Sequence, residues 1–184
     1  MLNNKKNIKY PKIELDSLKQ EYNDELSRER IKLLQQMERE FDKRNPDLFK
    51  ELLTHPDTVI RTRAVCILAD LDGEDAVGPI STVLEKDSDE LVRHEAAFSL
   101  GQLGFQSGLD ALKNAVENDS SFFVRHEAAV AIGVIGSENG RDVLIRSLND
   151  TSEEVRKSAI IALANLDYIK EVKRNNKFTT MTGG

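Results

Sequence analysis

Two identical dipeptides, His94-Glu95 and His126-Glu127, stand in one chain of 184 residues that has only three histidines. Imidazole nitrogen and carboxylate oxygen together suit iron, manganese or zinc, and the residue types do not choose among these metals. Adjacent residues on a helix point about 100° apart, so each dipeptide can offer both ligands only to a site near the helix edge. Neighbouring helices pack ~8–10 Å apart, whereas ligand bonds to such metals are about 2.0–2.2 Å long. One dipeptide therefore cannot complete a site, and two on neighbouring helices are spaced for two adjacent metals. The missing ligands must come from a facing surface. If that surface is a second copy related by a two-fold axis, each metal receives one His and one Glu from each subunit. The alternative use of these residues is structural, with Glu95 and Glu127 paired to arginines across a groove and the histidines merely exposed.

The elements that must position the dipeptides are legible around them. Val92-Arg93-His94-Glu95-Ala96-Ala97 returns as Val124-Arg125-His126-Glu127-Ala128-Ala129, and each phrase runs on to a closing glycine, Gly104 and Gly136. An offset of this size is that of helical solenoid repeats, and the closing glycine is a helix stop. Packing explains why Val92, Ala96, Leu100 and Leu103 have counterparts, but a polar pair facing out of the core is free to vary. Arg61, Arg93, Arg125 and Arg156 align and head helices expected over residues 59–71, 91–103, 123–135 and 154–166. At the aligned positions the outer repeats carry Thr62-Arg63 and Lys157-Ser158, so His-Glu is confined to the middle two. A shorter amphipathic segment precedes each helix, and Asp87-Ser88, Asp119-Ser120 and Asn149-Asp150-Thr151-Ser152 supply turns and caps. Pro79 is expected to bend the second short helix. The fold expected is an all-α solenoid of about four helix pairs over residues 45–168, none able to bury its apolar face alone. This pattern resembles the HEAT-repeat class in its short variety.

Composition agrees with that class. Apolar residues make up 39%, enough for a packed core, while charged residues make up 32% and aromatics 5%, as in an array built from Ala, Leu, Ile and Val. A net charge of -6 argues against nucleic acid as the main partner and favours a basic protein partner. One cysteine excludes a disulfide framework, and Cys66, on an apolar helix face, is expected to be a core thiol. No apolar run is long enough to span a membrane, and the lysine-rich first residues do not read as a signal peptide, so a cytoplasmic protein is expected.

At the ends, residues 1–16 read as a flexible arm and residues 169–184 as a flexible tail. Residues 17–44 form an amphipathic helix with Leu18, Tyr22, Leu26, Leu33, Met37 and Phe41 in a stripe; it serves either as a solenoid cap or as a dimerisation arm. His55, before Pro56, is expected to be an exposed turn residue.

Beyond the dipeptides, Ile80-Ser81 before the Asp87-Ser88 turn, His94-Glu95 followed by Leu100-Gly101-Gln102, and His126-Glu127 followed by Ile132-Gly133-Val134 resemble one half of deoxyhypusine hydroxylase. That family is a tandem HEAT-repeat enzyme with a di-iron centre and four His-Glu motifs, two in each half. The resemblance covers about residues 47–168. It implies that His94, Glu95, His126 and Glu127 are iron ligands, with two irons per dimer. It implies a monooxygenase acting on a polyamine-modified lysine of the hypusine-bearing translation factor. With only two motifs here, the four-motif site requires homodimerisation. The contrasting expectation is a non-enzymatic HEAT interaction module, or a scaffold like the phycobilin lyases, whose short repeats these also resemble.

Overall fold

The computed structural model describes residues 25–174. The expected arm, residues 17–24 of the N-terminal helix and residues 175–184 of the expected tail lie outside the described residues. Among the described residues every regular element is helical: α1 (Glu25–Asp42), α2 (Asp47–Leu52), α3 (Thr58–Asp72), α4 (Val77–Lys86), α5 (Glu90–Leu103), α6 (Leu109–Asn118), α7 (Phe122–Ile135), α8 (Arg141–Ser147) and α9 (Glu153–Arg174). Four pairs follow, α2/α3, α4/α5, α6/α7 and α8/α9. The longer helices α3, α5, α7 and α9 pack in sequence as one layer, and α4, α6 and α8 run as a second layer against them. The all-α solenoid of helix pairs expected from the repeats is what the chain adopts.

The core lies between the layers. Leu68, Ile80, Leu84, Leu100, Leu112, Ile132, Leu144 and Leu166 are fully buried there. Burying each such side chain contributes roughly 1.5–3 kcal/mol, and each pair obtains that burial only from its neighbours. Helix ends are set locally. The Asp57 carboxylate accepts from the N–H groups of Val59 and Ile60, and Asp89 accepts from Leu91. Gly104 and Gly136 close α5 and α7 in the left-handed region, at φ of 72° and 67°, as the repeated phrase predicts.

Two further glycines set how closely the long helices approach. A Cβ on Gly101 would lie 2.9 Å from the Ala131 Cβ, and one on Gly133 would lie 2.8 Å from both Cα and Cβ of Ala162. The obstacle includes backbone, so the helices must part to admit a side chain. Gly133→Val is expected to lower stability by about 1–3 kcal/mol through overpacking. A fall in the denaturant midpoint checks this, and an unchanged midpoint would contradict the close approach of α7 to α9.

The aligned arginines form a ladder along the stack. Arg61, Arg93 and Arg125 each donate two bonds, of 2.7–3.0 Å, to a turn aspartate of the following repeat: Asp87, Asp119 and Asp150. Each also donates Nη1–H to a carbonyl of its own turn, at His55, Asp87 and Asp119. The three aspartates accept in addition from the N–H two residues on, at Asp89, Ser121 and Ser152. In the first repeat His55 takes the aspartate's place, and its Nδ1 accepts the Asp57 N–H at 3.0 Å. His55 is thus half-buried in a structured turn rather than an exposed one.

Two details, at Pro79 and at the end of α9, depart from sequence expectation. Pro79 is the third residue of α4, in the first turn, where a missing N–H breaks no α-helical bond; the expected bend has no cause there. The tail expected from residue 169 is helical as far as Arg174, with the Ile169 side chain packed against Gly136 and Arg141 paired to Asp167 at 2.8 Å. In α1, Met37 is buried in the core with Leu33 and Leu34 packed beside it, and Arg30 binds Asp57 at 2.6 Å. The described part of this helix covers the first repeat as a cap.

Candidate metal centre

Residues at i, i+3, i+4 and i+7 share a helix face. On α5 these are Leu91, His94, Glu95 and Phe98; on α7 they are Phe123, His126, Glu127 and Val130. The two dipeptides therefore lie on one surface of the long-helix layer, all four side chains half-buried.

The closest imidazole–carboxylate pair bridges two repeats rather than joining neighbours in sequence. His94 Nε2 lies 3.5 Å from Glu127 Oε2. Two ligands bound at about 2.1 Å to one ion, at angles between 90° and tetrahedral, stand roughly 3.0–3.4 Å apart. His94 and Glu127 are thus near the separation of two donors to one ion. His126 points the same way along the stack: its Nδ1 lies 2.6 Å from the Ser158 hydroxyl on α9. Each histidine faces the second dipeptide position of the next repeat, Glu127 for His94 and Ser158 for His126.

Glu95 is the electrostatically perturbed member. Burial pushes its carboxyl upward from the ordinary value; the nearby Glu127 charge adds to that rise, while His94 and Arg63 oppose it. No ion pair joins Glu95 or Glu127 to an arginine among the described residues, because Arg61, Arg93 and Arg125 are committed to turn aspartates. Arg63, which lines a hollow with Glu95, acts on its charge without forming an ion pair with it. Among the described residues no three His, Cys, Asp or Glu side chains converge to hold a metal. A single chain brings one imidazole and one carboxylate together.

Beside the dipeptides, α3 and α5 enclose an open hollow of about 520 Å³ lined in part by Thr62, Arg63, Cys66, Leu91, His94 and Glu95. Cys66 is half-buried on this wall and is not the core thiol expected; burial raises its pKa, with the Glu95 and Asp70 charges adding to the rise. An exposed apolar border flanks the polar residues: Leu91 is 62% exposed, Phe123 50% and Ile161 70%, with Val59, Phe98 and Val134 also open. Sequence reasoning missed this border. Its signal was available, since Val59, Leu91 and Phe123 each precede an aligned arginine by two residues at a position that packing does not require. Ser158 was passed over because it is no metal ligand.

Helix pairs stacked through glycine contacts and an arginine–aspartate ladder define a class, and sequence comparison agrees. The HEAT-repeat family model matches residues 45–133 and 109–173, and the chain belongs to that family. The structure is similar to that of human deoxyhypusine hydroxylase in complex with glycerol, with a TM-score of 0.64 and 25% identity over 73% of this chain. The match spans 46% of the hydroxylase. It is also similar to the complex of CpcE and CpcF of phycocyanin lyase from a Nostoc species, with a TM-score of 0.60, 21% identity, and coverage of 76% of this chain and 60% of that one. The second likeness concerns the fold. No curated protein matches the chain by sequence. No helix among the described residues is long and apolar enough to cross a membrane.

Proposed function

We propose that the chain is a metal-dependent oxygenase of the deoxyhypusine hydroxylase type, with His94, Glu95, His126 and Glu127 as ligands and the site completed by a second copy. The observation that carries this reading is His94 Nε2 standing 3.5 Å from Glu127 Oε2, with Arg93 and Arg125 bound to turn aspartates. The donor set fits a divalent ion: Glu95 is raised partly by Glu127, and a cation between them relieves that repulsion. Two irons per dimer would supply dioxygen activation when bound; this chain's residues would hold the donors in place. The substrate is a polyamine-modified lysine of a translation factor in the cytoplasm, whose positive charge suits a chain of net charge -6. The reaction is tested by incubating the iron-loaded protein with the deoxyhypusine-bearing factor, dioxygen and a reductant. A product heavier by one oxygen atom is expected; an unchanged factor overturns the hydroxylase assignment.

The partner surface is the apolar border. A contiguous exposed patch of this kind marks an interface, and an isologous dimer across it brings two copies of the dipeptides face to face. Leu91→Glu, which places a charge in the middle of that patch, is expected to convert the dimer to monomer and to lower iron per chain together with mass. A variant that stays dimeric and iron-loaded argues for a different interface. The same border supports a second reading, a non-enzymatic scaffold that docks a protein there without metal.

A further inference from the structure

Ser158 has a defined role that follows from how few protons a hydroxyl carries. It is buried on α9, with Oγ 2.6 Å from His126 Nδ1 and 3.0 Å from the carbonyl oxygen of Glu154, one turn earlier. A serine hydroxyl has one proton to donate and lone pairs to accept with, and a carbonyl oxygen can only accept. Donation back to the carbonyl four residues earlier is the usual habit of serine inside a helix. With that proton given to Glu154, the Ser158 oxygen accepts from His126, and Nδ1 then carries the imidazole proton. In a neutral ring the other nitrogen, Nε2, is then bare.

We infer that Ser158 is a positioning residue that fixes His126 as its Nδ1–H tautomer, leaving Nε2 as the open donor atom. The proposal rests on the metal reading for its purpose, but not for its geometry. A metal-ligating histidine is commonly held this way, its second nitrogen tied to a neighbouring acceptor that sets tautomer and ring orientation. The inference also accounts for the unequal surroundings of the two histidines. His94 faces the Glu127 carboxylate, whereas His126 faces a neutral hydroxyl that is already donating elsewhere. A serine in the fourth repeat thus stands where the third repeat has a ligand.

The test is the nitrogen spectrum of the imidazoles in metal-free, ¹⁵N-histidine-labelled full-length protein, at an alkaline pH where the rings are neutral. Only three histidines require assignment. His126 is expected to show a protonated Nδ1 and an unprotonated Nε2, to lose that fixed preference in Ser158→Ala, and to regain it in Ser158→Thr. A proton on Nε2 in the wild type overturns the inference, as does an unchanged Nδ1–H spectrum in a folded Ser158→Ala. The wild-type spectrum decides the tautomer even where a variant does not fold. A parallel titration with Co²⁺ is expected to show about 10–100-fold weaker binding in Ser158→Ala. If the wild type has the Nδ1–H tautomer yet takes up no Co²⁺, the metal reading fails while the positioning role stands.

Discussion

Arg93→Met is expected to destabilise the protein by about 3–5 kcal/mol, the cost of breaking a buried ion pair from one side. The Arg93 and Asp119 side chains are only 12% and 7% exposed, and two bonds of 2.7 and 2.9 Å join them. Methionine keeps much of the apolar stem that Arg93 packs along the stack, so the loss reports the stranded Asp119 carboxylate rather than a cavity. Chemical denaturation measures it. Arg93→Met combined with Asp119→Asn is expected to recover part of the stability, because no buried charge is then left unpaired and the amide oxygen still accepts from the Ser121 N–H. A single variant within about 0.5 kcal/mol of wild type, the range of an ordinary surface change, would contradict the ladder's structural role.

The ladder also sets the response to acid. The bidentate Arg125 holds the Asp150 carboxyl below its ordinary value of 3.8, against a smaller opposing effect of burial. The folded state therefore binds fewer protons than the unfolded state across the carboxylate range. This contribution is complete above the ordinary value and is lost as pH falls through and below it. Asp150→Asn is accordingly expected to be less stable at neutral pH and to lose less stability on acidification.

The second large effect is expected at Glu127. Glu127→Gln keeps the side chain's shape but removes the carboxylate that faces His94 at 3.5 Å and contributes to raising Glu95. Under the proposed metal site, affinity for Fe²⁺ or Co²⁺ falls by more than about 100-fold, beyond the 10–100-fold typical of outer-shell changes. The metal-free protein should keep its thermal midpoint, since Glu127 takes part in no arginine ion pair among the described residues. Calorimetric titration of metal into both proteins separates the cases. Equal affinity would remove Glu127 from the site, and a large loss of metal-free stability would make its role structural.

Much of this was legible in the residues because repetition is itself a measurement. The helix pairs, the closing glycines Gly104 and Gly136, and the long helices within one residue of their expected starts follow from a periodic apolar pattern that a solenoid must satisfy in every repeat. The end of α9 was not legible, because past Leu166 the apolar period fades and the contact of Ile169 with Gly136 is visible only in three dimensions. Gly101 and Gly133 stood out as family-like residues, yet their physical reason, helix backbones too close for a Cβ, appears only in three dimensions. The aligned arginines were visible and their partners were not. An arginine opposite a glutamate and one opposite a turn aspartate look alike in sequence, and the structure gives all three rungs to Asp87, Asp119 and Asp150. At the candidate site His94, Glu95, His126 and Glu127 were singled out by repetition, but the pairing across repeats was not. Helical rise and layer packing, not sequence adjacency, place His94 against Glu127 and His126 against Ser158.

In the proposed dimer, the two His-Glu dipeptides of one chain make half of a shared metal site. Elemental analysis of protein purified from iron-supplied cells, with mass by light scattering on the same sample, tests it most directly. The account predicts a dimer holding about one iron per chain, as a two-fold site shared by two copies requires, with the iron lost in His94→Ala or His126→Ala. A metal-free monomer would contradict it and leave the exposed border around Leu91, Phe123 and Ile161 as a surface for a protein partner.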